Sequence, residues 1–160
     1  MSPRAAWRLE ALGFPDVYDY IAGEADWLAF GLPVDGAQAE LPRAGGLARR
    51  DVPRCRLSDT VGELRDRVQA AGWDLCVVVN GDDVVLGLLR EKELGADPDL
   101  TAEQVMRSGP ATYRPDTPAS DAAERLKKRG VKGVLVTLSD GRLVGWLRSE
   151  DAERAASSTT

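Results

Sequence analysis

The sequence predicts an α/β (α+β) chain in which two repeated α-β-β-α units form one pseudo-symmetric domain, preceded by a short helical N-terminal extension. A repeat at fixed spacing is the first observation: Gly72 and Gly130 lie 58 residues apart, and so do Gly87 and Gly145. The second is the order of patterns around those glycines, a polar-capped helix, an apolar run, a turn, a second apolar run and a new helix start, met twice. The third is size. Each unit is too small to close a core alone, so their sheet faces are expected to pack on each other.

In the extension, Ala5, Trp7, Leu9 and Leu12 recur at helical spacing, which predicts a helix near residues 3–12 stopped by Gly13 and Phe14-Pro15. Asp16–Tyr20 reads as a brief strand, and Gly23–Phe30 as a short helix closed by Gly31. Pro33, Gly36, Pro42 and Gly45-Gly46 then make residues 32–47 read as linker. The expected boundaries are an extension over 1–36, a linker over 37–49, a first unit over 50–97, a connector over 98–105, a second unit over 106–155 and a flexible tail over 156–160.

Asp59 and Thr60 offer polar caps to a helix that ends at Gly72. Strands are expected at Leu75–Val79 and Val84–Leu89 around the turn Asn80-Gly81-Asp82, with a helix beginning near Arg90. The second copy runs from Asp116-Thr117 through a helix ending at Gly130. Strands Val134–Thr137 and Leu143–Leu147 flank Ser139-Asp140-Gly141, and a helix begins near Arg148.

Composition narrows the chemistry. The 160 residues carry 43% hydrophobic and 29% charged side chains, a globular balance, and a formal net charge of -5 that weakens nonspecific attraction to nucleic acid or anionic membrane. There is no histidine, which removes Ser/His/Asp hydrolysis, Cys/His catalysis and histidine-dependent metal sites. Cys55 and Cys76 lack a redox or zinc spacing and read as reduced core residues. No run approaches the roughly 18 apolar residues of a membrane span, so a cytoplasmic location is the default expectation. Lys127-Lys128-Arg129 reads as compensation of a helix dipole, Asp82-Asp83 as a solvated turn, and Trp73 and Trp146 as packing residues.

The succession Val52-Pro53, Asp59-Thr60-Val61, Gly72, Val77-Val78-Val79 and Gly87-Leu88-Leu89, followed by Val105-Met106, Pro110-Ala111-Thr112, Asp116-Thr117, Gly130-Val131, Val134-Leu135-Val136, Asp140 to Leu147 and Asp151, resembles a tandem cystathionine-beta-synthase-type (CBS) domain pair over about 105 residues. The resemblance implies a regulatory module, not an enzyme. It implies AMP, ADP, ATP or S-adenosylmethionine as regulatory ligand in an interdomain cleft, no required cofactor, a homodimer, and a separate regulated protein. In ligand-binding members a glycine is followed at the third position by Thr or Ser and at the sixth by an Asp that binds ribose. Here Gly145 leads to Arg148 and Asp151, and Gly87 to Arg90 and Glu93. The resemblance therefore implies Pro110, Thr112, Val131, Lys132, Gly133, Arg148 and Asp151 as ligand-binding residues, with Arg90 and Glu93 as a weaker second site. Asp151 can accept two ribose hydroxyls and Arg148 can present a donor fork to phosphate. Against this, Arg148 cannot act as a hydroxyl cap. A helix capped by Ser149 would start one residue later and turn Asp151 away.

The order Ala5-Ala6, Leu9, Leu12-Gly13-Phe14, Val17-Tyr18, Gly23, Trp27, Gly31-Leu32-Pro33 and Gly36 resembles the last part of a rhodanese-like domain, without the cysteine loop that would carry sulfur transfer. That resemblance implies an extension that packs on the pair or helps it dimerise. The competing expectation for the whole chain is a ligand-independent interaction scaffold.

Overall fold

The repeat governs the architecture down to its hydrogen bonds. In the computed structural model, which describes residues 2–21, 23–36 and 39–158, two βαββα units stand in the expected order. The first comprises β1 (Arg54–Cys55), the helix Val61–Ala70, β2 (Leu75–Val79), β3 (Val85–Arg90) and the helix Glu91–Leu94. The second comprises the strand Thr112–Tyr113, the helix Ala119–Arg129, the strands Gly133–Thr137 and Leu143–Arg148, and the helix Ser149–Ser157. Three helices precede the first unit, α1 (Ser2–Ala11), α2 (Gly23–Ala29) and α3 (Ala44–Leu47). The helices of the first unit are accordingly α4 and α5. Between the units lie α6 (Ala102–Val105) and β4 (Arg107–Ser108), so the second unit is β5, α7, β6, β7 and α8 in chain order.

Both hairpins share one register. Val77 opposes Leu88 as Leu135 opposes Trp146, and each hairpin is irregular at the same place, Val78/Val79 and Val136/Thr137. In each unit a two-residue strand, β1 or β5, joins in parallel. Thr60 and Glu63 form a capping box at the start of α4, while Gly130 closes α7 at φ 61°, a left-handed conformation cheap only for glycine.

The two units meet about a pseudo-twofold axis marked by the bridge between Val84 and Arg142, themselves 58 residues apart. Around it Val85 N–H donates to the Gly141 carbonyl (3.0 Å) and Leu143 N–H to the Asp83 carbonyl (2.9 Å), a matched pair. Val52, Leu75, Val77, Val79, Leu88, Leu135, Leu143 and Trp146 form the apolar layer between the sheets. The helices cover the outer faces, with Leu64, Val68 and Leu94 in the first unit and Ala122, Leu126 and Ala152 in the second. Both cysteines are buried in the first of these outer cores.

The repeat also reaches upstream of the expected units. Arg43 bridges Pro118 and Thr60 bridges Thr101, an exchange in which α3 docks on the second unit and α6 on the first. After α6, β4 completes the first sheet by pairing with β3. After α3, Arg49 exchanges two backbone bonds of 2.9 Å with Trp146 and so extends the second sheet. Asp16–Tyr20 is not a strand: among the described residues no neighbouring strand pairs with it, its Tyr20 carbonyl accepts only the turn bond from Gly23 N–H at 3.0 Å, and most of it is exposed. α2 is tied down by buried Ala29, whose carbonyl accepts from Arg50. Thr159 and Thr160, the end of the expected tail, lie outside the described residues, and residues 156 and 157 belong to α8.

Candidate functional site

At the end of the hairpins remote from the Val84–Arg142 bridge, the units part around a cleft of about 840 Å³. Each unit contributes the same two segments. The helix-to-strand turns Gly72–Leu75 and Gly130–Lys132 form one pair, and the strand-to-helix turns at Arg90 and Arg148 form the other. Both arginines stand at the last position of a central strand, opposite Leu75 and Gly133 respectively, so the sheet register aims them at the axis. Each guanidinium lies over a tryptophan of the other unit, Arg90 over Trp146 and Arg148 over Trp73, both at 5.5 Å from the ring centroid. Arg49 covers Trp73 as well, at 4.6 Å. The tryptophans expected only to pack thus also form the walls of the cleft and hold its cations. Charges in the lining balance: Arg90, Lys132 and Arg148 face Asp74, Glu91 and Glu150, and Arg148 also bonds Glu150 at 3.3 Å.

A smaller cavity of about 100 Å³ opens from the same region, since Arg90, Val131 and Trp146 line both. Leu88, Pro110, Ala111, Leu126, Val134 and Leu135 make most of its wall apolar. Tyr113 completes it, and the Tyr113 hydroxyl is buried without a hydrogen-bond partner.

The residues singled out from the sequence distribute as follows. Lys132 and Arg148 line the large cleft, Pro110 and Gly133 the small cavity, and Val131 and Arg90 both. Thr112 is exposed on β5, opposite Leu135. Asp151 and Glu93 line neither. The expected shift of the last helix does not occur. Arg148 occupies the cap position, Ser149 is the first helical residue, and Ser149 N–H is fixed by the Lys132 carbonyl at 2.9 Å.

Glu93 and Asp151 are repeat equivalents with different partners. Glu93 is 8% exposed and accepts from Arg107 Nε at 2.7 Å and from the Arg90 N–H at 3.1 Å. Burial pushes its pKa up, but the Arg107 bond and the backbone donors outweigh that and hold the carboxyl below the usual glutamate range. The residue equivalent to Arg107 is Arg49, which does not bond Asp151. It chelates Asp51 instead, at 3.1 and 2.5 Å, and holds the Asp51 carboxyl below its ordinary value. Where the second repeat has Gly109, the first has Asp51, and among the described residues the ion pair of Arg107 is with Glu93. Asp151 accepts only a solvent-side bond from Arg154, at 3.2 Å, among the bonds described for it.

Sequence reasoning passed over Arg49 and Tyr113. The 58-residue spacing from Arg49 to Arg107 was a usable signal for the first; the second needed the cavity itself. Both cysteines are buried, and hydrogen bonding with Cys76 and burial push the Cys55 thiol pKa up, the opposite of activation. Among the described residues no group of three or more His, Cys, Asp or Glu side chains is placed to hold a metal ion, and no helix is long and apolar enough to cross a membrane.

Comparison with known proteins agrees with this geometry. The family model described as "CBS domain" matches residues 102–158. An uncharacterized protein of Methanopyrus kandleri is 25% identical over 115 residues, covering 67% of this chain, which spans 59% of that protein's length. Among solved structures, the cytosolic domain of the Mg2+ channel MgtE in complex with ATP is 25% identical, with a TM-score of 0.65 and coverage of 74% of this chain and 51% of the other. A CBS domain pair in complex with 5′-methylthioadenosine and S-adenosyl-L-methionine is 18% identical, with a TM-score of 0.62 and coverage of 75% and 99%. None of these supports the rhodanese-like reading of residues 1–36. Two CBS-like βαββα units meet about an axis beside a shared cleft, and the chain has the fold of a CBS-domain pair.

Proposed function

We propose that the chain is a ligand-sensing module that takes an adenosyl ligand at the cleft between its units. One observation carries the reading: a mostly apolar cavity opens through Arg90, Val131 and Trp146 into a wider cleft holding Arg90, Lys132 and Arg148. A planar base fits the first, and an anionic or zwitterionic tail fits the second. Proteins of this fold solved with ATP, or with 5′-methylthioadenosine and S-adenosylmethionine, support the ligand class. Because the three cations of the cleft face three carboxylates, its field does not reward a large negative charge. AMP and S-adenosylmethionine are therefore favoured over ADP and ATP. Sensing requires that the ligand prefer one packing of the two units over another, and the cleft lies where they part. The effect then passes to a regulated partner protein or to a second copy of the chain in a cytoplasmic homodimer.

The test is calorimetry of the stripped protein against AMP, ADP, ATP and S-adenosylmethionine. Saturable binding is expected, with AMP bound more tightly than ATP and weakened about tenfold by Arg148→Met, as loss of one charge-assisted contact implies. A second reading, an interaction scaffold, is favoured by the extension. Trp7, Leu12, Phe14, Tyr18, Ile21 and Phe30 are all more than half exposed there, an apolar surface of the kind that partners cover. No binding across the panel, together with a concentration-dependent dimer in sedimentation that Leu12→Glu abolishes, would replace the first reading with the second.

A further inference from the structure

We infer that the basic end of α7 selects the ligand by its charge: Lys127, Lys128 and Arg129 form an electropositive rim that draws anionic adenosyl ligands to the cleft and turns cationic ones away. The inference rests on the adenosyl reading above and narrows it to AMP over S-adenosylmethionine.

Lys127, Lys128 and Arg129 occupy the last turn of α7, and Gly130 ends the helix. The chain then runs straight into the site. Gly130, Val131 and Lys132 line the large cleft, and Arg129 and Val131 line the small cavity. Lys127 and Lys128 precede that lining by less than one helical turn, about 5.4 Å along the axis. They therefore act on the mouth of the cleft from within the Debye length of about 8 Å at physiological salt.

The side chains of Lys127, Lys128, Arg129 and Lys132 are exposed, and among the described residues none of them bonds or pairs with an acid. The seven arginines from Arg43 to Arg67, by contrast, all donate to oxygen acceptors. Nearby acids are spent elsewhere. On α8, which packs against α7, Glu150 is taken by Arg148, Asp151 by Arg154 and Glu153 by Ser149. Glu124 lies one turn back on α7, and the chain has no further acid until Asp140. A helix C-terminus carries only about half a negative charge, which a single lysine offsets. Dipole compensation thus accounts for a fraction of the cluster, and the rest is a local positive field on a chain of formal net charge -5.

The other repeat supplies a comparison. The residues equivalent to Lys127, Lys128, Arg129 and Lys132 are Gln69, Ala70, Ala71 and Asp74. Helix α4 ends on the same cleft without a cation at any of these positions, so the fold itself does not require them. Inside the cleft the charges balance, and the rim acts on the approaching ligand. Steering of this kind sets the association rate and its salt dependence and leaves dissociation nearly unchanged. AMP, whose phosphate carries about two negative charges at pH 7, is drawn in. S-adenosylmethionine, with a sulfonium and an ammonium against one carboxylate, is repelled. ATP also arrives quickly, but the balanced lining does not retain it.

The experiment compares the full-length chain with the double variant Lys127→Gln, Lys128→Gln, which removes two exposed charges that line neither cavity. Stopped-flow tryptophan emission follows association, because Trp73 and Trp146 wall the cleft, and calorimetry reads the same factor in Kd. With AMP, the variant should associate about 5-fold more slowly at 10 mM salt and about 2-fold more slowly at 0.15 M. At 1 M, where the Debye length is about 3 Å, the two proteins should agree. With S-adenosylmethionine at 10 mM salt the variant should associate about 2-fold faster. Equal AMP rates at 10 mM overturn the inference. So does a deficit that persists at 1 M, which would mark a structural role, or a slowing of S-adenosylmethionine alongside AMP. A natural protein that binds S-adenosylmethionine more tightly than AMP removes this inference alone. If it binds none of AMP, ADP, ATP or S-adenosylmethionine, the adenosyl reading itself falls and this inference with it.

Discussion

Alanine at Gly145 and at Gly87 is the same substitution at equivalent points of the repeat, and the structure predicts different results. Each glycine lets an edge segment lie against its strand. At Gly145 a β-carbon would stand 2.5 Å from the Arg49 carbonyl oxygen, 2.9 Å from its carbon and 3.2 Å from the Ala48 β-carbon. Two of these atoms are backbone, and that backbone is fixed by the paired 2.9 Å bonds between Arg49 and Trp146. At Gly87 the first obstacles are Met106 Sδ at 2.4 Å and Cγ at 2.9 Å, the far end of a side chain that can swing aside. Overpacking alone costs about 1–3 kcal/mol. Gly145→Ala adds the loss of two backbone bonds at about 1 kcal/mol each, for a total near 3–5 kcal/mol. Gly87→Ala should stay near the lower end of the overpacking range, about 1 kcal/mol. Urea unfolding of both variants measures the difference directly. In thermal unfolding, Gly145→Ala should lower Tm by roughly 10 °C and Gly87→Ala by about 3 °C, given about 2–4 °C per kcal/mol for a chain of this size. Arg49 also covers Trp73, so Gly145→Ala should shift the tryptophan emission while Gly87→Ala leaves it in place. Equal destabilisation by the two alanines would refute the claim that the edge segment before the first unit is a structural part of the second sheet.

Two further outcomes follow from buried groups. Arg107→Met strips Glu93 of its side-chain partner and should cost about 1–3 kcal/mol at pH 7. Because the fold lowers the Glu93 pKa, its contribution is present above the ordinary glutamate value of 4.5 and is lost as pH falls through the lower folded value. The gap between natural protein and variant should therefore narrow on acidification, and a gap constant from pH 7 to pH 3 would contradict the ion-pair account. Cys55 and Cys76 should resist a thiol-specific reagent in the folded chain and react promptly in denaturant, since both are buried and the Cys55 thiol is pushed up. Labelling of the native protein at the rate of a free thiol would show that the first outer core opens readily.

The repeated hairpins were legible because each signal was local. An apolar run, a turn such as Asn80-Gly81-Asp82, and a glycine after the helix recur at one spacing, and each of the four central strands lies within a residue of its expected limits. Residues 43–49 and 101–107 were less transparent. Gly45-Gly46 looks like a helix breaker, yet Gly45 is buried in α3 so close to Pro115 that a side chain there would collide with it. No short window reveals that Arg49 pairs with Trp146. Asp16–Tyr20 failed in the opposite way, since Val17, Tyr18 and Tyr20 suit a strand but a strand also needs a neighbour. Within the site, Arg90 and Arg148 could be placed from the repeat alone. Their stacking on Trp146 and Trp73 could not, because the tryptophans are not repeat equivalents: Trp73 matches Val131 and Trp146 matches Leu88.

The departures from symmetry bear on which half of the cleft would take the proposed ligand. In the first unit the acid, Glu93, is buried and bound by Arg107 and a backbone donor, so a ribose would have to displace a 2.7 Å charge-assisted bond to reach it. In the second unit Asp51 draws the equivalent arginine away, and Asp151 keeps one described bond, to a side chain that is 72% exposed. Exposed pairs of that kind contribute little and yield easily to a better donor. The smaller cavity lies mostly on the same side: Leu88 and Arg90 come from the first unit, and Pro110, Tyr113, Val131 and Gly133 from the second half of the chain. A loosely held acid, beside neither cavity, and a mostly apolar slot with a shared arginine thus both fall to the second unit. In the first unit the residue equivalent to Tyr113 is Cys55, and Glu93 is held by Arg107. The asymmetry supports a single occupied half-site, with a calorimetric stoichiometry of one ligand per chain. Two equivalent sites per chain would require the Glu93–Arg107 pair to open, and Arg107→Met would then strengthen binding at the second of them.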